Sequence, residues 1–277
     1  MQAQASISWA INHMSAPELS IAAFCRLAAG LGAPAVELRN DLKAPADIGS
    51  VLPAEVRAAT QATGVRLITI NALYPFNDWN AERAEQARAL ATLAAAAGCE
   101  ALVLVPRCDG TDTGEERHAK LREALRGLAP ILAEAGLIGL VEPLGFAQCS
   151  LRLKSEAVAA ISELGLGARF RLVHDTFHHT LAGEATIYPA QTGLIHISGV
   201  EDPTVAVADM LDAHRVLVGP RDRLGNIAQI RALLAAGADA PLSFEPFAPE
   251  VHGDPDIAAA LAHSMQFITR ELAREAA

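Results

Sequence analysis

Four short apolar runs in the second half of the chain each end on a side chain that can donate to a metal. LIGLVEP reaches Glu142, the run before HDTFH reaches Asp175, IHISG carries His196, and APLSFEP reaches Glu245. A buried run of Leu, Val and Ile does not ordinarily finish in a carboxylate. An unpaired charge there costs several kcal/mol or shifts its pKa until it neutralises. A cation removes that penalty, so the four residues read as one divalent-metal site built from four successive strand ends. Three carboxylates and one imidazole form a hard, oxygen-rich set that suits Mn²⁺ best, with Mg²⁺, Co²⁺ or Zn²⁺ also compatible. Pro143 and Pro246 restrict the preceding glutamates to extended backbone, which helps fix the direction of each carboxylate.

Each donor also has a plainer reading. Asp175 can cap a following helix, and His196 alone can be a hydrogen-bonded core histidine. Glu142 and Glu245 resist this treatment, because a structural role requires a buried cationic partner that their own strands do not supply.

Eight β-type runs position these residues: Ser6–Asn12, Ala35–Arg39, Arg66–Leu73, Ala101–Pro106, Ile138–Leu144, Phe170–Thr176, Leu194–Val200 and Pro241–Pro246. Helical patterns alternate with them. One opens at Pro17-Glu18 and closes before Gly30/Gly32; others cover Ala81–Ala97, Glu115–Ala135, Ser155–Leu164, Ile227–Ala236 and Asp256–Arg274. Strands alternating with helices predict a parallel sheet closed into a single (β/α)8 TIM barrel over residues 1–277. An open doubly wound sheet is the rival, but the Gly-x-Gly-x-x-Gly that it carries after its first strand is missing. The stretch Glu201–Gly225 exceeds an ordinary βα loop and is expected to be functional.

Side-chain alternation then assigns faces. Leu140, Val173, Leu194 and Ser243 should point inward with the four donors. Ser6, Ser8, Ala10 and Asn12 should do so on the first strand, and Glu37 and Arg39 on the second. Leu67, Thr69 and Asn71 should share one face of the third. Asn12, Arg39 and Asn71 thus join the donors at the C-terminal rim, where barrels of this kind build active sites. Asn12 and Asn71 read as substrate contacts or as satisfied barrel polars. Glu37 and Arg39 read as a mutual pair or as substrate contacts. His178, three residues after Asp175, falls near the metal, while Phe76 and Trp79 read as packing or as a lid.

Composition narrows the classes. The net charge of −10, with no Lys/Arg run, weighs against nucleic acid as a partner. No stretch reads as a membrane span or a secretory signal, so a cytoplasmic location is expected. Cys25, Cys99, Cys108 and Cys149 lack C-x-x-C or zinc-like spacing and read as buried or incidental thiols.

Over nearly its whole length the chain resembles the xylose isomerase-like TIM barrels, the sugar isomerase/epimerase superfamily. AVELRNDL, LITINALYPFND, LVLVPR, VEPLGFAQCS, HDTFHH, IHISGVED, DAHRVLVGP and SFEPF carry the resemblance in order. Within the superfamily it is most similar to the 2-keto-myo-inositol (inosose) isomerases. The most specific pieces are N-A-L-x-x-F-N and the G-x-x-Q-C after Glu142. The resemblance implies Glu142, Asp175, His196 and Glu245 as metal ligands, and Arg215 and His178 in the substrate site. It implies a small polyhydroxylated ketone as substrate and leaves room for a homo-oligomer. Many relatives have Gly-x-Gly and an acid after the long loop, where this chain reads GPRDRLGN.

The chemistry expected is carbonyl migration in a cyclitol or sugar ketone through a cis-enediolate, with Glu142, Glu245 and His178 as catalytic groups. Ketose 3-epimerisation or hydroxypyruvate isomerisation on the same site are alternatives. Phosphodiester cleavage is a further rival, since Asp175–His178 and Asp212-Ala213-His214 resemble the trinuclear endonuclease of the superfamily. That reading needs histidines where the third and fourth strands end on Asn71 and Pro106. A silent sugar-binding barrel is the last rival, against which the two glutamates argue.

Overall fold

Eight short strands, each able to bury both faces, are all parallel and pair in chain order until the eighth closes on the first. The structure is a computed structural model that describes residues 7–112 and 114–274. The strands are β1 (Trp9–Asn12), β2 (Ala35–Arg39), β3 (Arg66–Leu73), β4 (Ala101–Leu104), β5 (Ile138–Val141), β6 (Phe170–Asp175), β7 (Thr192–Ile197) and β8 (Leu242–Phe244). The helices are α1 (Ile21–Gly30), α2 (Pro53–Thr63), α3 (Ala81–Ala97), α4 (Glu116–Glu134), α5 (Lys154–Glu163), α6 (Thr176–Ala182), α7 (Asn226–Ala235), α8 (Pro249–His252) and α9 (Ile257–Ala273). The expected TIM barrel is thus observed. Among the described residues no helix is long and apolar enough to cross a membrane.

Two apolar layers follow from the alternation. Outward residues such as Ile11, Val36, Leu38, Leu102, Ile195 and Phe244 pack against the helices. Inside, Ala10, Ala35 and Ala101 face Ile68, Leu140, Val173 and Leu194, filling the barrel beneath its C-terminal rim. Small residues opposite large ones let this layer interdigitate, so the polar side chains above it sit on a solid floor.

Local corrections have identifiable causes. Ser6 lies outside the described residues, and β1 begins at Trp9. The first helix starts at Ile21, because the Ser20 hydroxyl accepts from the Ala23 amide at 3.4 Å and caps it there; Pro17 and Glu18 precede it in a turn. In β3 the pairing jumps from Val36–Leu67 to Glu37–Thr69, passing over Ile68. This bulge sends Leu67 outward and Ile68 inward, breaking the single face expected for Leu67, Thr69 and Asn71 while leaving the last two pointing in. Cys108 and Cys149 are joined as a disulfide across two neighbouring rim loops, whereas Cys25 and Cys99 are buried free thiols. Sequence spacing does not show that pairing; the barrel creates it by setting the loop after β4 beside the loop after β5. Phe76 is fully buried, and Trp79 lies where a Cβ on Gly127 of α4 would stand, so both are packing residues. Gly145 has the same cause: a Cβ there would strike the His178 carbonyl and Leu181 in α6.

The stretch Glu201–Gly225 contains only two 3-10 turns, Val207–Asp209 and Asp212–His214. It is nonetheless tied down. Gly199 and Val216 exchange backbone hydrogen bonds of 2.7 and 2.8 Å, and the Arg215 carbonyl accepts from Phe247 and Ala248 at 2.9 and 2.8 Å.

Candidate metal centre

Glu142 follows β5, Asp175 ends β6, His196 lies in β7 and Glu245 follows β8. One donor atom from each comes within 4.8 Å of the others, and all four residues are buried. His196 Nδ1 is the hub, 2.9 Å from Glu142 Oε1, 3.2 Å from Glu245 Oε2 and 3.9 Å from Asp175 Oδ2. Asp175 fulfils the capping reading with its other oxygen. Oδ1 accepts from the amides of Phe177 and His178 at 2.7 and 3.0 Å and starts α6, leaving Oδ2 turned to the centre.

Glu37 and Arg39 do not pair with each other. Glu37 is fully buried and receives His196 Nε2 at 3.1 Å, the Thr69 hydroxyl at 2.6 Å, Asn71 Nδ2 at 2.9 Å and the Ser243 hydroxyl. Arg39 instead donates Nη1 to Glu245 Oε1 at 2.8 Å and grips Asp41 through Nε and Nη2 at 2.8 and 2.7 Å. Asn12 donates to the same Glu245 oxygen at 3.2 Å and accepts from the Met14 amide at 3.0 Å. Asn12 and Asn71 thus each hold a carboxylate.

Arg215 enters from the long loop and is 1% exposed. Its Nη2 donates to Asp175 Oδ2 at 2.6 Å and Glu245 Oε2 at 3.1 Å, and its Nε to Ser198 at 3.0 Å. The guanidinium lies over the rings of Phe177 and Phe247, 5.0 and 4.7 Å from their centroids. His178 is buried edge-on to Phe146 and Phe177, and among the described residues its Nδ1 has no hydrogen-bond partner.

The charges polarise the two glutamates differently. Burial, with Glu245 and Asp175 nearby, raises Glu142 above the usual carboxylate range despite His196. Burial also works against Glu245, but His196, Arg215 and Arg39 together hold it far below that range. Asp175 and Glu37 are likewise lowered against burial, by Arg215 and by His196 respectively. Burial opposes a charged His196, yet Glu245, Glu37 and Glu142 raise it well above an ordinary histidine.

A divalent cation fits this donor set. In the buried layer Glu37, Glu142, Asp175 and Glu245 face three cationic groups, Arg39, Arg215 and protonated His196. Exchanging the His196 proton for a divalent ion adds one net positive charge and neutralises the excess. The donors that would hold it are Glu142, Asp175, His196 Nδ1 and Glu245 Oε2.

The family described as xylose isomerase-like TIM barrel matches residues 25–271. The chain belongs to this family. A xylose isomerase domain-containing protein of Salmonella typhimurium LT2 is 33% identical, with a TM-score of 0.88 over 96% of this chain and 97% of that one. The IolI protein, solved with a bound zinc atom, is 19% identical, with a TM-score of 0.84 over 96% and 98%. A D-psicose 3-epimerase of Clostridium cellulolyticum H10, solved with D-tagatose, is 16% identical, with a TM-score of 0.73 over 96% and 99%. A comparison with curated proteins gives no match. The last two structures, at 19% and 16% identity, share the barrel fold with this chain.

Sequence reasoning did not assign the partners of Glu37 or the role of Phe247. Alternation placed Glu37 and Ser243 inside the barrel, but contact between β2 and β7, which are not neighbours in the sheet, has no local sequence signal. Phe247 is adjacent to Pro246, and its position under both Arg39 and Arg215 comes from loop geometry alone.

Proposed function

We propose that the protein is a divalent-metal-dependent isomerase of polyhydroxylated ketones, with 2-keto-myo-inositol as the first substrate to test. The observation carrying this reading is the buried group of Glu142, Asp175, His196 and Glu245 at successive strand ends of the barrel. The N-A-L-x-x-F-N and G-x-x-Q-C resemblance favours the cyclitol among ketones. When bound, the cation supplies Lewis acidity to a ketone oxygen and its neighbouring hydroxyl.

The chain's own residues then divide the work. Glu142, which contacts His196 but neither of the arginines that clamp Glu245, takes the proton from the carbon next to the carbonyl. Glu245, clamped by Arg39, Asn12 and Arg215, stays anionic and holds its direction. Return of that proton to the former carbonyl carbon, with the hydroxyl proton passing to the former carbonyl oxygen, completes carbonyl migration. His178 offers its unpartnered Nδ1 to a substrate hydroxyl, and Arg215 supplies a fixed positive charge where oxygen becomes negative. Phosphodiester cleavage is not favoured. His214 Nδ1 accepts from the Leu211 amide, and Asp212 pairs with Arg215, so neither extends the quartet into a multi-ion site.

Chromatography of products from a panel of inososes, linear ketoses and hydroxypyruvate tests the assignment. Interconversion of adjacent keto-inositols should be the fastest reaction. Preference for a linear ketose would move the protein to the epimerases, and turnover unaltered by complete metal removal would sink the reading.

A further inference from the structure

Among the described residues Glu37 is the one fully buried carboxylate at the barrel rim that stands outside the quartet, and it lies on the far edge of the His196 ring. Nδ1 faces Glu142, Glu245 and Asp175, while Nε2 lies 3.1 Å from both Glu37 oxygens. The two nitrogens of an imidazole point away from each other, so a group at Nε2 cannot share an ion held at Nδ1. Glu37 therefore acts on the centre only through the ring.

Its other contacts all work in one direction. The Ser243 hydroxyl donates to Oε1, and the Thr69 hydroxyl and Asn71 Nδ2 donate to Oε2 at 2.6 and 2.9 Å. Two hydroxyls and an amide N–H around the carboxylate stabilise it as an anion, which only accepts. Arg39, the adjacent inward cation, is committed to Glu245 and Asp41, so His196 is the cationic partner left to Glu37. The β3 bulge is part of the same arrangement, since passing over Ile68 brings Thr69 level with Glu37.

We infer that Glu37 is a positioning residue that holds the proton of His196 on Nε2 and presents the Nδ1 lone pair to the metal. The inference rests on the quartet being the metal site. A carboxylate behind a ligating histidine fixes its tautomer and ring plane and makes the ligating nitrogen more basic; losing such a partner typically weakens metal binding by about 10- to 100-fold. Glutamine at position 37 would keep the shape but bring an NH₂ group toward donors that need an acceptor, and toward a ring that must donate.

The test measures Zn²⁺ affinity by chelator competition in the full-length protein and in Glu37→Gln, each in the native and the His196→Ala background. Glu37→Gln should weaken Zn²⁺ binding about 10- to 100-fold in the native background and cause no further loss once His196 is gone. Long-range ¹H–¹⁵N spectra of the Zn²⁺-loaded native protein should show the His196 proton on Nε2. Thermal melting of the metal-free forms identifies any variant that has failed to fold. In that case Glu37→Asp and Thr69→Val, which loosen the same carboxylate, should give a smaller loss in the same direction. Native-like affinity in the folded Glu37→Gln protein, an equal loss with and without His196, or a proton on Nδ1 would each overturn the inference while leaving the quartet standing. A native protein that binds no Zn²⁺, or a His196→Ala protein that binds it as tightly as native, would instead overturn the metal reading beneath it.

Discussion

The two halves of the barrel rim are built from different chemistry. From β5 to β8 every strand delivers a donor: Glu142, Asp175, His196, Glu245. From β1 to β3 the strands deliver residues that grip those donors: Asn12 and Arg39 on Glu245, and Glu37 on His196 with Asn71 behind it. One half can make the bond to an ion, and the other decides which atom makes it. A single fold thus separates ligation from orientation by assigning them to two arcs of one closed sheet.

Substitutions in the donor half should have the largest effects. Glu142→Gln and Glu245→Gln keep one oxygen ligand but lose the base, so turnover should fall by about 10²–10⁴-fold or more with metal retained. Asp175→Ala should fail by losing the ion. Rates compared with metal content by elemental analysis separate the two, and exchange of the substrate α-proton with deuterated solvent should vanish in the Glu142 variant first. Normal exchange in metal-loaded Glu142→Gln would transfer the role to Glu245 or His178.

In the gripping half, Arg39→Gln leaves Glu245 Oε1 with Asn12 alone. Metal affinity and turnover should drop together by about 10- to 100-fold, less than for loss of a donor. A larger loss than in Asp175→Ala would erase the distinction between the halves.

Acid should loosen both halves alike, because each buries a neutral histidine. His13, after β1, is lowered to about 4, mainly by burial, with Arg39 adding to it. His174, on β6, is lowered to about 3 by burial, with Lys154 and His179 adding to it. A histidine depressed on folding takes up its proton in the unfolded chain first. The stability that these two rings contribute should therefore be full above about pH 6.5 and be lost, by several kcal/mol in all, as pH drops toward 4. Urea unfolding at stepped pH, compared between the native protein and His174→Gln, isolates the part due to His174, and identical pH responses would mean that water reaches that ring.

The smallest effect belongs at the opposite end of the barrel. Arg66 and Glu100 form an exposed pair 2.9 Å apart near the N-terminal ends of β3 and β4. Arg66→Gln should change stability by less than about 1 kcal/mol and leave turnover unaltered. A change in turnover would show that the two barrel ends communicate.

Much of this division is legible in the sequence, because period-two alternation is a local property. It places Leu140 beneath Glu142, Val173 beneath Asp175 and Glu37 inside the barrel without reference to any other strand. What alternation cannot supply is the partner across the lumen. Glu37 meets His196 and Ser243 only because the sheet closes, and Cys108 meets Cys149 only because successive rim loops become neighbours. The Ile68 bulge is equally silent, since Leu, Ile and Thr suit a regular strand as well as an irregular one. The helix that Pro53 opens escapes a periodicity search because its buried face is reduced to Val56 and Thr60. The short α6 escapes because it is held by the Asp175 carboxylate and by packing on Gly145 rather than by an apolar stripe.

That last anchorage makes a spectator amide into a gauge. One oxygen of Asp175 fastens the first turn of α6 while the other faces the donors, so whatever seizes the second oxygen also tensions the first. Loading the centre should then slow deuterium uptake at the Phe177 and His178 amides, although neither N–H faces the ion. Occupancy would become readable at a backbone position, without substrate and without turnover, by mass spectrometry of a single peptide.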